Sequence, residues 1–403
     1  MGCASGTCGP ACPPGETLCI GLCRDPRTDP ANCGTCGVVC STGQTCSASY
    51  CATTVGIASS GASAHTCAIR STGGVVCWGS NARGQLGDGT TTTPRSSVSV
   101  AGLTDAAEVA TGRFFTCVRR ATGAVVCWGD NSSGTLGNGT TTNSLTPVVV
   151  TGLTDAVGVS AATGFACAVR ATGGVVCWGD NSTGTLGNRT TTSSSTPVEV
   201  ALLTDAVQVA TAGDHACARR TAGGVVCWGL GFWGQLGNGS TMYNSTARVT
   251  VTGLADAVEI AAGEGFTCAR RATGAVVCWG YNAGGRLGNG TTTNSSTPVV
   301  VTGLTDAAAI TAGGNHACAR RSMGAVVCWG ANPAGNLGDG TARNSSTPVA
   351  VTGLTDAAAI TAGDAHTCAL RAAGAVVCWG NNSNRELGGT IGYSLVPIGV
   401  TGL

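Results

Sequence analysis

Cys67-Ala-Ile-Arg-Ser-Thr-Gly-Gly-Val-Val-Cys77-Trp78-Gly79 is the stretch on which the fold turns. It recurs six more times, with its tryptophan at 128, 178, 228, 279, 329 and 379. Successive copies lie 50 residues apart, save one step of 51. Near-identical units of this length stack into a ring or a solenoid, because one unit cannot bury its apolar face alone.

The stretch reads as a β-hairpin. Cys67 and Cys77 lie symmetrically about Thr72, which sets Ile69 opposite Val75 and leaves Ser71-Thr72-Gly73 as a three-residue loop. Such a loop ends in a residue with positive φ, which glycine adopts without steric cost. Every copy supplies it: Gly73, Gly123, Gly173, Gly223, Gly274, Gly324 and Gly374. The turn makes the two cysteines cross-strand neighbours, with Cα atoms about 4.5–5.5 Å apart and so within disulfide reach. One bridge per unit is expected: Cys67–Cys77, Cys117–Cys127, Cys167–Cys177, Cys217–Cys227, Cys268–Cys278, Cys318–Cys328 and Cys368–Cys378.

Composition bounds the function. Of 403 residues, 65 are glycine and only 10% are charged, with a net charge of +1. That leaves no electrostatic case for nucleic acid or an anionic membrane. Aromatic residues make up 4%, so the core must come from Val, Ala, Leu and Cys. Every basic residue is arginine, which with the Ala and Gly richness points to a GC-rich bacterial gene. No apolar run reaches the roughly 18 residues of a membrane span. Twenty-four cysteines point to an oxidising compartment, hence to the cell surface or beyond. No signal peptide is legible at Met1, and the export route is not given by the sequence.

Residues 1–52 read as a separate cysteine-rich disulfide module. Its ten cysteines, at 3, 8, 12, 19, 23, 33, 36, 40, 46 and 51, stand in for a core that few aliphatic residues could build. Five bridges are expected there, with connectivity open. The run Asp29-Pro-Ala-Asn-Cys33-Gly-Thr-Cys36-Gly37, followed by Cys40, Gly43-Gln-Thr-Cys46 and Cys51, resembles the stigma-specific cysteine-rich module. A redox role for Cys33 and Cys36 lacks a βαβ setting.

Residues 53–403 hold the repeats, joined to the module by a short link, Ala52-Thr-Thr54. In the unit 205–254, strands are expected at 205–210, 216–220, 225–228 and 248–251. Four short strands per unit, seven times, is the pattern of an all-β, seven-bladed propeller. A solenoid would need polar end repeats, and the first and last copies are as apolar as the rest. His366-Thr-Cys-Ala-Leu370, Gly374-Ala-Val-Val-Cys-Trp-Gly380 and Asn81-Ala-Arg-Gly-Gln-Leu-Gly87-Asp-Gly89 resemble the regulator of chromosome condensation repeat, including its alpha-tubulin suppressor-like bacterial members. The resemblance covers 55–403 and implies the seven-bladed propeller. It leaves function open, because that family includes a guanine-nucleotide exchange factor, a plant ultraviolet-B receptor and a secreted β-lactamase inhibitor.

Positions shared by all copies serve the scaffold. His65, His215, His316 and His366 occupy one slot that elsewhere holds Phe115, Phe165 and Phe266, so a packing role between blades is expected. A metal site where His316, His366 and His65 meet in the closed ring is the sharper alternative. Arg70, Arg120, Arg170, Arg220, Arg271, Arg321 and Arg371 recur with Asp105, Asp155, Asp205, Asp256, Asp306 and Asp356, which reads as structural pairing; a ring of arginines round an anion is the alternative. The tryptophans are expected at blade cores. No catalytic constellation, cofactor or metal is expected.

Positions where copies disagree point to function. The fourth copy replaces Asp-Asn-Ser-Ser with Leu230-Gly-Phe232-Trp233 and adds Met242 and Tyr243; the fifth adds Tyr281. The fourth copy also lacks the proline that begins the fourth strand elsewhere, at Pro147, Pro197, Pro298 and Pro348. Leu230, Phe232, Trp233, Met242, Tyr243 and Tyr281 are therefore the expected partner-binding residues, an aromatic patch on one rim. The expected function is a secreted or cell-surface, monomeric, non-catalytic module that binds a protein or a glycan. The alternatives are a secreted enzyme inhibitor and an exchange-factor-like regulator.

Overall fold

In the computed structural model, the described residues of the repeats form seven antiparallel sheets closed into a ring. The structure describes residues 54–403 except 94, 95, 390, 391, 401 and 402, and before them only strand backbone. The ten cysteines of 1–52 and the bridges expected among them lie outside the described residues. Blade 1 carries Cys67 and blade 7 carries Cys368. The expected link 52–54 is not a loop: it falls inside the strand Tyr50–Ala58. The first half of that strand pairs with Gln44–Ser47 and the second half with His65–Arg70.

Blade 2 shows the plan, with strands Ala106–Thr111, Phe115–Arg120, Val125–Gly129 and Ser144–Val149 paired in that order. First strands of adjacent blades touch around the central channel, and fourth strands lie outermost, half exposed. The hairpin forms as its sequence requires. Arg70 N–H donates to Gly74 O and Gly73 N–H to Arg70 O, both at 2.9 Å. The loop glycines take φ of 77–88°, and Ile69 faces Val75. All seven expected bridges are present, with Cα–Cα separations of 4.0–4.1 Å. That is shorter than the expected range. Counting back from the turn places each pair at a site without ladder hydrogen bonds, the narrower of the two antiparallel spacings.

The fourth strand of blade 4 starts earlier than expected, spanning Asn244–Thr250. A bulge separates Cys227↔Val249 from Gly229↔Ser245 and lets pairing resume. In blades 2, 3, 5 and 6 the prolines sit inside this bulged edge strand instead of beginning it. There a missing N–H removes no ladder bond.

The tryptophans do not lie at blade cores; they lie between blades. Trp128 packs with Cys67, Cys77 and Leu86 of blade 1, and its indole N–H donates to Gln85 O at 2.8 Å. Every repeat copies the bond, from Trp178 to Thr135, Trp228 to Thr185, Trp279 to Gln235, Trp329 to Arg286 and Trp379 to Asn336. The contact is close enough to dictate a glycine: a Cβ on Gly87 would lie 2.6 Å from the Trp128 ring nitrogen. Each fully buried indole with its N–H satisfied contributes about 3–5 kcal/mol against alanine.

The same bond closes the ring. Trp78 of blade 1 donates to Glu386 O of blade 7 at 2.8 Å, and Asp364 N–H donates to Ser63 O at 3.0 Å. Trp78, Cys368, Cys378 and Leu403 share one core cluster. Each blade is a contiguous stretch of chain, so closure joins whole blades through this packing and these hydrogen bonds, with no strand exchanged among the described residues. No helix of the described residues is long and apolar enough to cross a membrane.

Candidate binding surface on the rim of blades 4 and 5

In blade 1 the loop between third and fourth strands is built around a buried asparagine. Asn81 Oδ1 accepts from Leu86 N–H at 3.0 Å, while Nδ2 donates to Thr90 O at 3.2 Å and Thr92 O at 3.0 Å. Asn131, Asn181 and Asn282 repeat the clamp. Blade 4 has Gly231 at this position, and the clamp is gone. Gly231 N–H donates instead to Tyr243 O at 2.8 Å, and a Cβ there would lie 2.6 Å from Met242 O. Aromatic packing replaces the polar clamp.

The structure brings the expected aromatic residues together. Phe232 meets Trp233 edge-on with centroids 4.7 Å apart, and Tyr243 lies 6.5 Å from Phe232. Trp233 stacks on Tyr281 at 4.4 Å. The Arg286 guanidinium covers the other side of the ladder, 4.4 Å from the Tyr281 centroid. Arg286 is also held by Ala283 O at 3.1 Å and Glu264 O at 3.0 Å. Such pairs are each worth about 0.5–1.5 kcal/mol beyond burial, so the ridge is rigid. Its outer members stay open: Phe232 is 50% exposed, Tyr243 66% and Met242 73%. Leu230 and Tyr281 are half-buried beneath.

Inside the ridge lies a cleft of about 370 Å³ at the channel mouth, lined by Arg113, Asp214, Trp233, Gln235, Glu264 and Arg286 among others. A second hollow of about 280 Å³ shares Arg113, Thr163 and Asp214 with it and continues past Asp130 and Asp180. Burial pushes the Asp214 and Glu264 carboxyls up, with Asp180 adding to the first and Asp364 to the second. Burial lowers the Arg286 guanidinium. Sequence reasoning missed this cleft. Arg286 comes from the loop between third and fourth strands of blade 5, and the other charged residues from the short stretches between first and second strands, Gly112-Arg-Phe114, Gly213-Asp214 and Gly263-Glu-Gly265. Those loops also differ from copy to copy, which was the available signal.

The histidines lie elsewhere. Each is buried and reaches one blade onward: His65 Nε2 to Thr116 Oγ1 at 2.8 Å, His215 to Thr267 at 2.8 Å, His316 to Thr367 at 2.7 Å and His366 to Thr66 at 2.7 Å. His316, His366 and His65 thus serve three different interfaces and do not converge. Among the described residues no group of three or more His, Cys, Asp or Glu is placed to hold a metal. Six arginines pair within their own blade with the strand-opening aspartates, from Arg120–Asp105 at 2.8 Å to Arg170–Asp155 at 3.0 Å. Partly exposed pairs of this kind contribute about 0–1 kcal/mol, and they bind the arginines to the scaffold.

Residues 152–394, more than half of the chain, match the RCC1-like domain. The chain belongs to that family. Its earlier repeats match the regulator of chromosome condensation (RCC1) repeat over 57–85, 106–135 and 122–169. Residues 2–54 match the stigma-specific STIG1-like protein family. No curated protein matches the chain. Among solved structures, this RCC1-like propeller is similar to yeast RCC1 (Prp20) bound to Kap60, at 22% identity and a TM-score of 0.74 over 81% of this chain and 83% of that one. A second structure, Prp20p from Saccharomyces cerevisiae, gives 21% and 0.72 over 81% and 85%. The ectodomain of the Physcomitrella patens receptor kinase CR4 gives 20% and 0.51 over 82% and 74%. At these identities the likeness is one of fold.

Proposed function

We propose that this RCC1-like propeller is a secreted or cell-surface, non-catalytic binding module that captures a partner protein through the rim of blades 4 and 5. The observation that carries the reading is the exposed ladder of Phe232, Trp233 and Tyr243, backed by Tyr281 and Arg286. Trp, Tyr and Arg are the residue types in which protein-binding energy concentrates. Seven bridged hairpins suit an oxidising exterior. Relatives of the same fold are compatible with such a role: yeast Prp20 was solved bound to Kap60, Prp20p binds Gsp1p and histones, and the CR4 propeller belongs to a receptor ectodomain.

The test is comparative capture from the extracellular medium of the source culture. Phe232→Ala and Tyr243→Ala, at the exposed end of the ridge, should each weaken capture about tenfold or more and leave the melting temperature unchanged. Equal capture by the wild-type protein and both variants would remove the rim as the contact surface.

A further inference from the structure

Gln235 presents a donor to the cleft without a protein acceptor. The residue is 1% exposed and lines the cleft inside the ridge. Its Oε1 accepts from the Trp233 N–H at 2.8 Å. Its Nε2 meets no acceptor among the described residues. Blade 1 shows the same side chain complete: Gln85 Oε1 accepts from Arg83 N–H at 2.8 Å, and Nε2 donates to Ser80 Oγ at 3.2 Å. In blade 4 Leu230 stands where Ser80 stands, and the acceptor is lost. The free donor therefore faces the cleft, beneath the ridge.

The cleft also offers acceptors. The carboxylates of Asp214 and Glu264 line it, and among the described residues neither accepts a hydrogen bond or joins an ion pair. Arg113 and Arg286 stand in the same wall. A cationic guest would suit the carboxylates, but it would face both guanidinium groups and could accept nothing from Gln235. An anionic guest would suit the donors and be repelled by Asp214 and Glu264. A hydroxyl both donates and accepts, so a neutral polyol answers both sets together. Trp233 adds an apolar wall for the C–H face of a sugar ring. At about 370 Å³ the cleft is of small-ligand size.

We infer that this cleft is a saccharide subsite, taking one uncharged sugar unit whose hydroxyls bridge Gln235 Nε2 and the Asp214 and Glu264 carboxylates, with its ring against Trp233. The subsite stands apart from the protein contact proposed above, because Phe232 and Tyr243 are not in its lining.

Calorimetric titration of the intact, oxidised chain tests it, using neutral oligosaccharides of glucose, mannose, galactose and N-acetylglucosamine. A trilysine peptide and citrate serve as charged comparators. At least one neutral oligosaccharide should bind saturably, in the micromolar to millimolar range. Glu264→Ala, which removes an acceptor the fold does not use, should weaken it about tenfold. Leu230→Ser, which gives Gln235 the internal partner that Gln85 has, should weaken it by a similar factor. Met323→Ala, at an exposed hairpin turn of blade 6, should leave it unchanged. Saturation by none of the sugars at millimolar concentration, binding of the peptide or citrate alone, or sugar binding indifferent to both Glu264→Ala and Leu230→Ser would each overturn the assignment.

Discussion

Unfolded and reduced together, the propeller is expected not to refold while reductant remains. Each bridge closes an eleven-residue loop, which the loop-entropy model values at about 2–3 kcal/mol. Seven such bridges amount to about 15–20 kcal/mol, more than the about 5–15 kcal/mol by which a folded protein usually exceeds its unfolded chain. The rest of the core offers little reserve. The interblade clusters are built mostly from Ala, Val, Leu and the half-cystines themselves, with one tryptophan in each and Phe115, Phe165 or Phe266 in three of them. The half-cystines are at most 1% exposed. A reductant such as TCEP should therefore act slowly on the native protein and quickly once guanidinium opens it. The measurement is removal of guanidinium with TCEP retained, followed by far-ultraviolet circular dichroism and a melting scan, beside an oxidised control. Recovery of the native spectrum and melting point in TCEP would show the bridges to be dispensable. Peptide mapping without reduction should recover the seven hairpin pairs.

The hairpins were legible because every requirement is local: cysteine spacing, a glycine at the loop's end, alternating apolar residues. The aromatic rim was legible because six copies supply the pattern from which one departs. The tryptophans were misplaced because what they touch lies 43 or 44 residues earlier, on the preceding blade, and no local pattern displays it. The cleft was missed for the same reason. Arg113 and Glu264 belong to blades 2 and 5 and meet only at the mouth of a closed ring. The loss of the asparagine clamp at Gly231 was visible in the alignment of copies, but its meaning depends on knowing what Asn81 holds.

One rule in the sequence does report the closure, and it supports the second large effect. Where the slot before the cysteine is histidine, the next blade places threonine beside its own cysteine: His65 with Thr116, His215 with Thr267, His316 with Thr367, His366 with Thr66. Where it is Phe115, Phe165 or Phe266, the next blade has Ala166, Ala216 or Ala317. His366 finds its threonine on blade 1, as only a ring allows. The chemistry explains the pairing. Thr116 and Thr367 spend their hydroxyl hydrogens on Gln85 O and Asn336 O, at 2.8 and 2.9 Å. Each can therefore only accept from histidine, whose neutral form must carry its proton on Nε2. Burial holds the rings there, at a pKa of about 3 for His65 and His316 and about 4 for His215 and His366, against 6.5 when unfolded. Above the unfolded value both states are neutral and pH has no effect through these groups. As pH falls below it, the unfolded chain takes up protons that the folded ring refuses, and stability falls until the folded values are reached. Four histidines give a slope of up to about 5 kcal/mol per pH unit. Glu108, Asp214, Glu264, Asp364 and Glu386, all raised mainly by burial, act in the opposite sense, since they take up protons first in the folded state. Guanidinium unfolding at neutral pH and at about pH 5.5 should show the loss. Thr367→Ala alone should cost about 1–3 kcal/mol by stranding the His316 N–H. The double change His316→Phe with Thr367→Ala copies the interfaces that Phe115, Phe165 and Phe266 already make. It should restore most of that stability and remove about a quarter of the acid sensitivity. Stability that is flat between neutral pH and about pH 5.5, or a double variant no better than the single one, would refute the neutral histidine–threonine pairing.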